Sequence, residues 1–136
     1  MRRTITTILA AGLAVILAGN GLAMLFAGAW WYNAVPGAPL TGPFNAHFVK
    51  DIGAAYLVCA AACAAFAWRP QAAWPALAAA AAFLTLHAAI HVADAIASPT
   101  CGQALMRDAP GVFIPALATL ALAASRALQT KEFRHA

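Results

Sequence analysis

Charge is what this sequence has least of. Only 9 % of its 136 residues are Asp, Glu, Lys or Arg, against a hydrophobic share of 64 % and a mean hydropathy of +0.78. A soluble domain covers itself with about a quarter charged residues, so that class is excluded. No run of like charge is longer than two residues, which excludes an acidic or basic interaction tail. The net charge of +4 is scattered over the ends of apolar stretches, and nucleic acid is not an expected partner without a folded basic face. Cysteine is scarce too. Cys59 and Cys63 stand i,i+4 on one apolar stretch, Cys101 stands apart, and no CxxC pair occurs. That spacing is poor for a mutual disulfide, and the first two read as small buried apolar residues.

What the chain has is uninterrupted apolar length. Four stretches reach the roughly 20 residues that a bilayer span requires, at about 4–29, 46–68, 74–97 and 111–128. They predict an all-α fold: a single integral-membrane domain over 1–136, built as a four-transmembrane-helix bundle with antiparallel neighbours and short loops. The first run follows Arg2-Arg3 like a signal peptide but far exceeds the ~7–15 apolar residues of such a segment. It reads as a retained helix. Pro36-Gly37 suits the middle of a type II turn, and Asn45 suits the N-cap of the second span. Arg69-Pro70 breaks the chain, Ser98-Pro99 ends the third span, and TCGQALMRDAPG reads as a polar loop. Pro115 is expected to bend the fourth span.

Basic residues set the expected orientation. Arg2, Arg3, Arg69, Arg126, Lys131 and Arg134 collect on one side, leaving Arg107 on the other and Lys50 just inside a span. Both termini are therefore expected in the cytoplasm (N-in, C-in), with 30–45 and 98–110 outside. Trp30, Trp31, Tyr32, Trp68 and Trp74 read as interface belts. Gly12, Gly19 and Gly21 read as close helix contacts, and His135 lies in a polar tail.

Polar residues inside the spans stand out. The second span carries His47 and Asp51, and the third carries His87, His91 and Asp94 at i, i+4 and i+7 on one face. At ~1.5 Å per residue, Asp51 and His91 both lie ~9 Å below the outer ends of their helices, with His87 ~15 Å deep. Asn20 of the first span falls near the depth of His87. Ionisable groups cost ~2.5–3.5 kcal/mol each in hydrocarbon, so a matched set on facing helices predicts one shared site: His47, Asp51, His87, His91, Asp94 and Asn20. Two chemistries fit. Imidazole and carboxylate could bind a transition metal ion (zinc, copper or iron) through His47, Asp51, His87 and His91. The same groups could instead form a structural polar network joining helices. HAAIH lacks the glutamate of HExxH, which removes zinc-protease chemistry. Bis-histidine haem through His47 and His91 is disfavoured by alanine-rich faces that pack closely.

Residues 31 to 57, WYNAVPGAPLTGPFNAHFVKDIGAAYL, and residues 87 to 94, HAAIHVAD, resemble small four-helix bacterial membrane proteins of the DoxX-like type. The resemblance implies a bacterial inner-membrane location and a setting of quinone-linked oxidation or electron transfer, and it carries no catalytic role onto any residue here. Two functions follow as expectations. One is a protein that binds a metal ion or a quinone at the His/Asp cluster. The other is a non-catalytic accessory subunit that contacts the lipid bilayer and a membrane-protein partner, or a second copy of itself as a homo-oligomer. A proton-coupled carrier ranks last, because the inner half offers only Cys59, Cys63 and Thr119 and no internal repeat.

Overall fold

A computed structural model describes the backbone of residues 2–135 and the side chains of residues 4–125. The side chains of Arg2, Arg3, Arg126, Lys131, Arg134 and His135 lie outside the described residues. The chain is helical throughout: α1 (Arg2–Phe26), α2 (Gly28–Ala34), a 3-10 turn (Ala38–Thr41), α3 (Ala46–Trp68), α4 (Pro70–Ala97), α5 (Cys101–Asp108), a π turn (Ala109–Phe113) and α6 (Ile114–His135). Four segments are long and apolar enough to cross a membrane: Thr4–Phe26, Ala46–Trp68, Pro70–Ala97 and Cys101–Ser125. A multi-pass membrane architecture follows from their length and composition.

Packing runs α1 on α3, α3 on α4, α4 on α6, with α6 touching α1 more lightly. The α1–α3 crossing is made by two glycines. A Cβ on Gly21 would stand 2.7 Å from the Gly53 carbonyl oxygen, and one on Gly53 would stand 2.8 Å from the Met24 Cβ. Backbone therefore meets backbone there, as in small-residue membrane interfaces. Gly12 and Gly19, expected to serve the same purpose, meet nothing within 4 Å. Leu17, Cys63, Leu77 and Thr119 fill the centre of the bundle, and Cys59 and Cys63 are buried free thiols, as the sequence predicts.

The second span begins and ends where the sequence puts it. The Asn45 side chain accepts from the backbone N–H groups of His47 and Phe48, both at 3.1 Å, which satisfies two otherwise orphaned donors. Pro36-Gly37 also turns as expected: Gly37 has φ +93, and the Ala38 N–H donates to Val35 O.

Other boundaries differ. The first span does not end at Ala29. It kinks at Ala27 (φ −134, ψ 37) and continues as α2, so Trp30, Trp31 and Tyr32 ride on a helix. The third begins at Pro70, not Trp74, because proline is pre-set for a first helical turn and only Arg69 is needed to reverse the chain.

The largest difference lies at 98–110. The break there is Ser98 to Thr100, after which α5 forms. Gln103, Ala104, Leu105, Met106 and Arg107 are all strong helix formers, and no breaker intervenes before Pro110. Pro110 and Pro115 then each remove a helical donor. Between them the helix widens to a π turn in which the Ile114 N–H reaches Ala109 O. The fourth apolar segment therefore enters through α5.

Candidate functional site

The bundle has a distal end, where the 27–46 segment, the start of α3, the end of α4 and α5 converge, and a terminal end, where Trp74 Nε1 donates to Ala123 O at 3.0 Å. The polar residues of the spans cluster toward the distal end. They do not form one site. The structure divides them into three groups.

The first group is His47 and Asp51. His47 Nε2 lies 3.4 Å from Asp51 Oδ2, one turn apart on the outward face of α3, with the side chains 89 % and 61 % exposed. Asp51 thus pairs with His47 and not, as the depth argument predicts, with His91. Equal depth on neighbouring helices is not enough: α3 turns Val49, Gly53 and Tyr56 inward, and Asp51 falls on the opposite side of the cylinder. Asp94 and Lys50 are likewise exposed.

The second group joins α4 to α5. His91 Nδ1 is 2.8 Å from Asp108 Oδ2, and Arg107 donates from Nε to Asp108 Oδ1 at 2.7 Å and from its terminal nitrogen to Oδ2 at 3.2 Å. A carboxylate beside a guanidinium only accepts, so His91 Nδ1 carries the donated proton. Asp108 is buried, its side chain 8 % exposed, while the His91 and Arg107 side chains are about a third exposed at 29 % and 31 %. Arg107 also reaches the 35–42 segment. A Cβ on Gly37 would come within 2.5 Å of Arg107 Nε and 2.6 Å of Cζ, so the guanidinium lies on the bare Cα of that turn. The Asp108 carboxylate therefore ties α5 to α4 through His91, and its neighbour Arg107 carries the contact on to the Pro36-Gly37 turn.

The third group is aromatic. The His87 ring stacks on Phe83 (centroids 6.1 Å, interplanar 11°), stands edge-on to Tyr56 at 5.9 Å, and meets His91 at 4.8 Å. Tyr56 is buried on α3. Among the described residues, neither the Tyr56 hydroxyl nor the His87 ring has a side-chain hydrogen-bond partner. Asn20 belongs to none of these groups. Its Oδ1 accepts from Trp31 Nε1 at 2.8 Å, pinning the end of α2 back along α1 across the Ala27 kink. Trp31 and Trp74 thus use their N–H groups inside the bundle, while Trp30 and Trp68 face outward as interface residues would.

Among the described residues, no group of three or more His, Cys, Asp or Glu side chains is placed to hold a metal ion. The expected ligand set of His47, Asp51, His87 and His91 is split between the outer face of α3 and the inner face of α4. Asp108 and Arg107, which the sequence reading left in a loop, are the residues it missed. The signal was the rarity of acids: with only four Asp and Glu in the chain, one bordering an apolar run within reach of two histidines is a candidate partner for them.

Compared with known proteins, the chain matches no family model, no curated protein and no solved structure.

Proposed function

We propose that this chain is a non-catalytic accessory subunit of a bacterial inner membrane, whose His91–Asp108–Arg107 chain is a structural clasp. One observation carries the reading: a single buried carboxylate engages His91 of α4 and Arg107 of α5 at once, and Arg107 lies against the Gly37 turn. Three of the roughly four acceptor sites of a carboxylate are taken up by His91 and Arg107, which favours a role in holding helices in register. Metal chemistry loses ground because the donors it needs are on different faces. The resemblance of 31–57 and 87–94 to DoxX-like proteins agrees with a subunit of a larger membrane assembly. The N-in, C-in orientation belongs to the same proposal and rests on the bias of Lys and Arg toward the terminal end.

The test is stability against ligand content. Asp108→Asn and His91→Leu should both lower the unfolding midpoint in mild detergent, with metal content at background in native protein and variants alike. Stoichiometric zinc, copper or iron in native protein that is lost with His91→Leu would reject the proposal. Orientation is checked separately in a Cys101→Ser background. A Leu40→Cys thiol should react with impermeant reagents from outside intact cells and a Gln71→Cys thiol should not; the reverse pattern rejects N-in.

A second reading is favoured by the third group. Tyr56 and His87 offer an unpartnered hydroxyl and imidazole side by side, both ~15 Å below the distal end by helical rise. A quinone headgroup could exchange hydrogen bonds with such a pair. Solvent extraction of purified protein should then recover a quinone at near one per chain, lost in His87→Leu; extracts without it remove this reading and leave the clasp untouched.

A further inference from the structure

A line of polar groups with unfilled hydrogen-bonding capacity runs down from the distal end of the bundle. Asp108 gives three of its roughly four acceptor sites to His91 and Arg107, which leaves one open. His91 donates from Nδ1, so its Nε2 is an acceptor, and that nitrogen has no partner among the described residues. His87, one turn deeper, has one donor and one acceptor nitrogen, and the Tyr56 hydroxyl beside it can do both. Neither side chain makes a hydrogen bond among the described residues. The two imidazoles meet ring to ring with no hydrogen bond between them.

These groups are interior yet not sealed. Tyr56 is 4 % exposed and Asp108 8 %. Even so, among the described residues no buried side-chain nitrogen or oxygen that lacks a hydrogen bond is shut off from a water-sized contact. The Tyr56 hydroxyl and the His87 nitrogens are therefore within reach of water. Hydrocarbon cannot satisfy them, and ionisable groups inside a membrane face a partner or a water-filled cavity. A bound water needs roughly 2–4 polar partners. Each step of the line offers a pair: Asp108 with His91, His91 with His87, and His87 with Tyr56. The outward side of α4 offers none, since Leu86, Ile90 and Ile96 are exposed there. Exposure falls along the line, from about a third at Arg107 and His91 to almost none at Tyr56, so its mouth is at the distal end. Deeper in the bundle Cys59, Cys63 and Leu77 are buried. The line is a dead end.

We infer that a file of hydrogen-bonded water enters past Arg107 and Asp108, runs by His91 to His87 and ends at Tyr56. It stops ~15 Å below the distal end by helical rise. Each water in such a file donates to one neighbour and accepts from another, so protons pass along it. A neutral His87 takes a proton on its acceptor nitrogen from the last water, which is replenished by the next, and the reverse order returns it. The file therefore keeps the interior histidines in exchange with the distal solution. Having no continuation toward the terminal end, it brings protons to the middle of the bundle and does not carry them across. The inference rests on neither reading above: stability judges the clasp, extraction judges the quinone, and exchange judges the file.

Exchange of the imidazole C2 proton for deuterium tests it on the native full-length chain in lipid nanodiscs. The reaction needs solvent at the ring, and its rate rises with pD to a plateau as the imidazole titrates. Tandem mass spectrometry of peptic fragments reads each histidine. His87 and His91 should both reach plateau rates within about tenfold of His47, whose side chain is 89 % exposed. A His87 rate below that range overturns the file, whether or not His91 exchanges. His91→Phe supplies the second arm, because an apolar ring in that place blocks the passage. It should slow His87 at least about tenfold and leave His47 as it was. Undiminished exchange at His87 in this variant, with native circular dichroism, would mean that water arrives by another way and would reject the path by His91. Should the variant not fold, the native rates decide alone.

Discussion

Two imidazole–carboxylate pairs stand at the distal end of this bundle, made of the same chemical groups and differing in surroundings. His47–Asp51 spans 3.4 Å on an open helix face, whereas His91–Asp108 spans 2.8 Å against a buried carboxylate that Arg107 also engages. The first is visible in the sequence as an i,i+4 spacing; the second crosses a chain break. The local pair holds no tertiary structure together, because both partners ride one turn of one helix. The non-local pair fixes where α5 lies on α4. Spacing in sequence and importance to the fold run in opposite directions here.

The largest effect should come from removing the buried carboxylate. Asp108→Ala leaves His91 and Arg107 without their shared acceptor, and truncating one member of a buried charged network typically costs about 3–5 kcal/mol. Both partners are about a third exposed and can recover water, so the lower end, about 3 kcal/mol, is expected. Reversible unfolding in mixed micelles measures it. A loss below about 1 kcal/mol, the level of an exposed pair, would erase the distinction between the two pairs.

Next is the turn that Arg107 covers. Gly37→Ala forces a Cβ into a φ of +93 and onto the guanidinium, a combination expected to cost about 2 kcal/mol from backbone strain and displacement together. The control is Gly37→Ala in an Arg107→Ala background, where the backbone strain is the same and the guanidinium is gone. A larger loss with Arg107 present than without it assigns the difference to Arg107. Equal losses would mean the turn feels only its own backbone and the clasp stops at α5.

How far the fold was legible follows the same division between local and non-local signals. The second span was read to its ends because Asn45, an apolar run and Arg69-Pro70 are all local punctuation. The Pro36-Gly37 turn was legible for the same reason. The fourth segment was not: Arg107 and Asp108 look like loop residues beside Pro110, and only the helix formers at 103–107 argue otherwise. The site was half legible. His87 and His91 belong to connected groups, but helix depth was used without helix rotation, and rotation is what sends Asp51 outward. Tyr56 went unremarked because an aromatic in an apolar run carries no polar signal until its neighbours are known.

A smaller effect separates a true pair from mere proximity. His91 and Asp108 should be coupled in a double-mutant cycle by about 1–2 kcal/mol, since contacting members of one network are non-additive. His91→Ala, Asp108→Ala and the double variant supply it. Additive losses would leave Arg107 as the sole functional partner of Asp108.

The smallest effect is expected at His47–Asp51, and its smallness is the sharpest form of the comparison. The pair has the wrong ingredients for a strong interaction: side chains 89 % and 61 % exposed and a 3.4 Å separation. Exposed i,i+4 pairs couple by about 0.3–0.5 kcal/mol. In micelles dilute enough to hold single copies, the His47→Ala and Asp51→Ala cycle should therefore stay below about 0.5 kcal/mol and fade in high salt, as screening of exposed charge requires. The control is the His91–Asp108 cycle in the same micelles, whose partly buried members are screened less. A His47–Asp51 coupling above about 1 kcal/mol in single-copy micelles would mean that α3 turns this face inward in the isolated chain. Both the division of the polar residues into separate groups and the open α3 face would then be wrong. Weak, salt-sensitive coupling leaves the two pairs as different in energy as they are in burial.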